Sequence, residues 1–102
     1  MLRNLRDCVK DGEPIKHTIK YKHTISQTTW IAIYDRSNNM LECGLRNHTG
    51  ISPLNDFATS HYKDIRPDRS PNCNAWNECK IYRNNEWIPM SNLQSINLQS
   101  IN

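Results

Sequence analysis

Four cysteines and four histidines carry the most reactive side chains of this chain, and their spacing decides which chemistry is open to them. Cys8, Cys43, Cys73 and Cys79 include no C-x-x-C pair. Cys73, Cys79, His48 and His61 make a zinc set only on paper, because structural zinc ligands normally come in pairs about two to four residues apart. The chain is therefore expected to hold no metal and no other cofactor. His61 and Asp64 stand at the spacing of a base and its orienting carboxylate, and Cys73 is a nucleophile by type. No glycine-rich phosphate loop, G-x-S-x-G elbow or H-E-x-x-H pair accompanies them. The expectation is a non-enzymatic protein, with His61 a satisfied core histidine.

Binding chemistry is better represented. Lys63, Arg66 and Arg69 follow one another closely, and with Arg46, His48 and Lys80 they are the residues from which one phosphate-facing patch could be assembled. Asp64 and Asp68 interrupt that run and weaken its field. Asn74 and Trp76 pair an amide suited to an adenine edge with an aromatic face. Lys16, Lys20 and Lys22 compete as a second binding face. Each feature has a plainer reading: a charged loop is solvated surface, Trp76 and Trp30 fill the core, and Asn74 is a turn residue before a strand. Lysines along an outer strand also discourage edge pairing.

Local pattern places these residues on elements. Leu2, Leu5, Cys8 and Val9 recur at helical spacing against Arg3, Arg6, Asp7 and Lys10, until Asp11-Gly12 stops the helix. Ile15, His17, Ile19 and Tyr21 alternate with Lys16, Thr18, Lys20 and Lys22, the period of a half-buried strand. Thr29 to Tyr34 reads as a central strand, Asp35 to Asn39 as a turn, and Met40 to Leu45 as the strand completing the hairpin. Arg46 to Ile51 is polar and reads as a loop closed by Gly50.

Ser52-Pro53 starts a helix that runs to about Lys63, its inner face made by Leu54, Phe57, Ala58, His61 and Tyr62. Pro67 and Pro71 end it, leaving Asp64 to Asn74 as an exposed basic loop. Trp76 to Arg83 alternates as a strand, with Trp76, Glu78, Lys80 and Tyr82 on one side. Asn84-Asn85 reads as a hairpin turn, and Trp87-Ile88 opens a last edge strand cut short by Pro89. The end of the chain repeats Leu-Gln-Ser-Ile-Asn from Leu93 and again from Leu98. Its last copy is expected to be frayed or dispensable; the sharper alternative is a self-association strip of Leu93 and Ile96, which Ile101 would extend.

Length and composition set the scale. With 102 residues, only 36% of them hydrophobic, the chain can build one modest core. Its formal charge of +3 permits phosphate binding without requiring it. No stretch approaches the roughly 18 apolar residues of a membrane span, and Met1 to Lys10 lacks the apolar segment of a secretory signal. An intracellular protein with reduced thiols is expected.

The order of elements, with Leu5-Arg6-Asp7 and Gly12 at the start, Glu42-Cys43-Gly44 closing the hairpin, Ser52-Pro53 opening a helix that contains Phe57-Ala58, Asn74-Ala75-Trp76 and finally Trp87, resembles the RAMA domain. That family, named for its association with restriction enzymes and adenine methylases, also occurs in chromatin proteins. The resemblance runs from about Leu2 to Leu93 and lies in order and spacing. Ala75 stands where the family usually has glycine, and the loop from Gly44 to Ser52 is longer than usual. What the resemblance implies is a DNA-associated module, in some members a reader of N6-methyladenine.

The sequence thus predicts one α+β domain over residues 1–92, with a small antiparallel sheet of about five strands and two helices, followed by the duplicated tail at 93–102. The expected function is binding of double-stranded DNA through Arg46, His48, Lys63, Arg66, Arg69, Asn74, Trp76 and Lys80. Open alternatives are a module docking onto a DNA-modifying or chromatin assembly, and a viral accessory protein that binds a host factor. The expected location is the nucleus in a eukaryote, the cytoplasm in a bacterium, or the host cell or virion for a virus. On the DNA reading, replacing Arg66 and Arg69 together by alanine is expected to weaken binding to all duplexes alike and to lower the salt slope in an anisotropy titration.

Overall fold

A computed structural model of the chain describes residues 4–19, 29–68 and 73–93. Leu2, Arg3, Lys20, Tyr21, Lys22, Arg69, Pro71 and the tail beyond Leu93 lie outside them. In chain order the elements are α1 (Leu5–Cys8), β1 (Pro14–Thr18), β2 (Thr29–Asp35), β3 (Met40–Cys43), β4 (Arg46–His48), α2 (Pro53–Ile65), α3 (Ala75–Glu78), β5 (Cys79–Arg83) and β6 (Glu86–Pro89), then a short 3-10 turn, Met90–Asn92. The strands form one antiparallel sheet in the order β4-β3-β2-β1-β5-β6, so the fold is α+β as expected. Its two central strands are β2 and β1.

Two elements differ from the sequence reading. Arg46 to His48, expected in a loop, pairs with β3 as the sixth strand, Leu41 facing His48 and Cys43 facing Arg46. Three polar residues carry no hydrophobic alternation, so nothing local announced the strand. Trp76 does not begin a strand: Asn74 accepts a hydrogen bond from the Asn77 amide and caps the single turn of α3, and pairing resumes only at Cys79. Asparagine is among the best N-caps, and four residues are too few for a helical period to show.

Alternation in the paired strands assigns two faces. Ile15, His17, Ala32, Tyr34, Leu41, Cys79 and Ile81 point inward and are essentially sealed from solvent. Against them pack Leu5, Cys8 and Val9 around α1, Leu54, Phe57 and Ala58 of α2, Ala75 of α3, and Met90. α2 starts as expected, the Ser52 hydroxyl accepting from the Asn55 amide and Pro53 sitting where no amide is needed. It runs on to Ile65. All four cysteines are thiols outside any disulfide, and burial, with Cys73 and Glu78 nearby, pushes the Cys79 thiol up.

Turn chemistry fixes the register. Asn84 and Asn85 both take positive φ, 52° and 66°, the backbone that a two-residue hairpin turn with the strand's own twist demands. Asn39 is also left-handed at 51°, and its side chain accepts a 2.6 Å hydrogen bond from the buried Tyr34 hydroxyl.

Arg83 closes the lower end of the fold. Its guanidinium donates to both Glu13 carboxylate oxygens at 2.6 and 2.7 Å and to the Cys8 carbonyl at 2.7 Å, joining β5 to the end of α1. Partial burial pushes the Glu13 carboxyl up, but its bonds from Arg83 and the Lys10 amide, with the charges of both residues, outweigh this and hold it below the ordinary 4.5. A carboxyl depressed on folding adds stability that is complete above its unfolded value and is lost as pH falls through the folded one. Glu13→Gln is therefore expected to lower the melting temperature at pH 7, and the gap to the native chain to narrow steadily as unfolding is repeated below pH 4.5.

Candidate nucleic-acid interface

The expected patch is only partly available. Arg46, on β4, lies with its guanidinium 5.0 Å from the Trp30 ring centroid and 3.5 Å from the Asp64 carboxylate. His48 is buried: Nδ1 is 2.8 Å from Asp56, and Nε2 is enclosed with no hydrogen-bond partner among the described residues. It therefore cannot meet a phosphate in this fold. Lys63 is exposed in the last turn of α2, and Arg66 just beyond it stands 3.7 Å from Asp68. Arg69 lies outside the described residues. The carbonyl end of α2 adds its own partial negative charge there. Two aspartates and a helix C-terminus thus offset the basic loop.

The base-reading pair is also engaged within the fold. Asn74 is exposed, but its Oδ1 caps α3; a bidentate contact with adenine, which needs both amide atoms, would release that cap. Trp76 is half-buried and packs against the core.

Lys80 belongs to a different surface. Pairing puts Lys16 directly opposite Lys80 on β1 and β5, with Ile31 opposite Lys16 on the other side and Tyr82 opposite Trp87 on β5 and β6. These residues share the outer face of the sheet with Ile33, Glu42 and Asn47, and none of the described helices covers it. Ile31 is 52% exposed, Ile33 43% and Tyr82 40%. The rings of Tyr82 and Trp87 are 5.1 Å apart, and Lys16 leans across β5 to set Nζ 4.5 Å from the Trp87 centroid. Neither lysine makes an ion pair among the described residues, while Glu42 stands two strands away from β1. The alternation of Lys16 was legible in the sequence. Its meeting with Lys80 was not, because β1 and β5 are joined by register across most of the chain.

Beneath this face, sequence reasoning missed a buried polar chain. His17 points inward from β1, Nε2 2.9 Å from Glu78 Oε1 and Nδ1 2.8 Å from His61 Nδ1, and both rings are wholly buried. A carboxylate only accepts, so in the neutral chain His17 carries its proton on Nε2 and accepts at Nδ1 from His61. The Tyr62 hydroxyl donates to the same Glu78 oxygen at 2.8 Å, and Trp30 stacks on His61 at 4.4 Å. Asp64, read as an orienting carboxylate for His61, stands against Arg46 instead. Among the described residues no cluster of three or more His, Cys, Asp or Glu is placed to hold a metal, and no helix is long and apolar enough to cross a membrane.

No protein-family model matches the chain, and no curated protein or solved structure matches it either.

His61→Phe keeps the ring that stacks on Trp30 but strands the buried Nδ1 of His17, which should cost about 1–3 kcal/mol in urea unfolding. Replacing His17 by phenylalanine as well is expected to cost less than the sum of the two single changes, since both ends of one bond are then removed.

Proposed function

We propose that this protein is a DNA-binding module, non-enzymatic, whose contact surface is the open outer face of the sheet. One observation carries the reading: Lys16 and Lys80 are paired directly across neighbouring strands, beside the exposed Tyr82 and the half-buried Trp87 that pairs with it. Like charges in direct cross-strand register destabilise a sheet. Guarding an edge does not account for these lysines, because β1 and β5 both lie inside the sheet. A polyanion laid over the face would neutralise both at once and release its own condensed counterions.

The likeness of the short motifs to the RAMA domain supports the same class of partner. A second site is favoured only by the exposed Lys63 and by Arg66 at the end of α2, where Arg66 would have to leave Asp68 to meet a duplex backbone. Reading of N6-methyladenine would fall to Asn74 and Trp76, and matched duplexes with and without the methyl group test it. Docking onto a protein partner through Ile31 and Ile33 would instead be insensitive to salt.

Lys80→Glu separates function from folding. It turns the like-charge pair into an attractive one, so thermal stability should rise by up to about 1 kcal/mol. Affinity for labelled DNA at low salt should fall, and the dependence on salt should weaken by roughly one phosphate contact. Unchanged affinity would remove the sheet face from the site, and no salt-sensitive binding by the native chain would remove DNA.

A further inference from the structure

We infer that the outer face takes a single strand in preference to a duplex, with bases stacked on Tyr82 and Trp87 and phosphates held by Lys16 and Lys80; this rests on the DNA-binding reading. Width is the first argument. Six strands at ~4.8 Å spacing make a face roughly 24 Å across, about twice the ~12 Å of a major groove, which admits a helix or a two-stranded ribbon. Lys16 and Lys80 stand on interior strands, so no groove can receive them without receiving the neighbouring strands too. A duplex could offer this face only its phosphates.

Aromatic chemistry is the second argument. In a duplex the flat faces of the bases are already stacked, whereas an unpaired base presents a face that any aromatic ring can take up. Tyr82 and Trp87 adjoin the lysine pair on the same face, and Lys16 Nζ stands over the Trp87 ring. A phosphate that draws Lys16 away uncovers the ring where the neighbouring base must go. Lys16 thus holds the place of a base in the free protein.

The test is fluorescence anisotropy of the full chain with labelled oligothymidylate and with a duplex of the same length, at low salt. The single strand should bind roughly tenfold or more tightly, and Tyr82→Ala should weaken it about fivefold to a hundredfold. Tyr82→Phe, which keeps the ring, should bind as the native chain does, and melting curves of both variants check that they fold. Equal or tighter duplex binding, or a Tyr82→Ala variant that binds oligothymidylate as the native chain does, overturns the inference while leaving the DNA-binding reading in place. Binding of neither nucleic acid overturns both.

Discussion

The hydrogen-bonded chain from Glu78 through His17 to His61 is the constraint on which the layout of the molecule depends. Burying an imidazole without partners costs about as much as a sizeable share of a small domain's net stability. His17 sits at the middle of the sheet, so its two ring nitrogens must find partners on the same face. One comes from α2 and the other from α3, and both helical segments are thereby fixed to one side. Trp30 on the adjoining strand stacks on His61 and completes the seal. Unlike apolar packing, which tolerates sliding, this chain has direction: each nitrogen has one donor or acceptor role, so α2 and α3 are set in register as well as in place.

An all-inward arrangement of helices has a consequence on the opposite side. The outer face must then be wettable, and most of it is, through Thr18, Thr29, Glu42, Asn47 and the two lysines. What wettability does not require is the cluster of Ile31, Ile33, Tyr82 and Trp87, nor two lysines in direct opposition. The cation over Trp87 relieves part of that opposition by drawing Lys16 Nζ off the Lys80 row. Local strain of this kind is removed by a single acidic substitution, and the same substitution would remove the positive field. At Lys80 the two effects move stability and anion binding in opposite directions, which makes the position informative.

Most of the fold was legible because its signals are local. Ile15 and His17 alternate with Lys16 and Thr18 in β1, Ser52-Pro53 marks the start of α2, and Asn84-Asn85 marks the last hairpin, all within a few residues. The failures share a cause. In β4 the inward residue is His48, so a buried position was written in a polar letter and the strand was read as a loop. Glu78 fell on the lysine side of an apparent alternation that in fact broke at Cys79, and its role as acceptor for His17 and Tyr62 went unseen.

The candidate site was harder to read than the fold for a related reason. Charged residues crowd the stretch around Lys63, Arg66 and Arg69, but density along the chain measures field only where no countercharge is folded against it. Asp64 stands against Arg46 and Asp68 near Arg66, and the C-terminal carbonyls of α2 face the same region. Lys16 and Lys80, far apart in sequence, gain by folding what the loop loses: they are brought side by side on a face with aromatic neighbours, and no carboxylate among the described residues is paired to either. For an anion, the relevant quantity is the uncompensated charge on one continuous surface, and that quantity is set by strand register, which no window of the sequence contains.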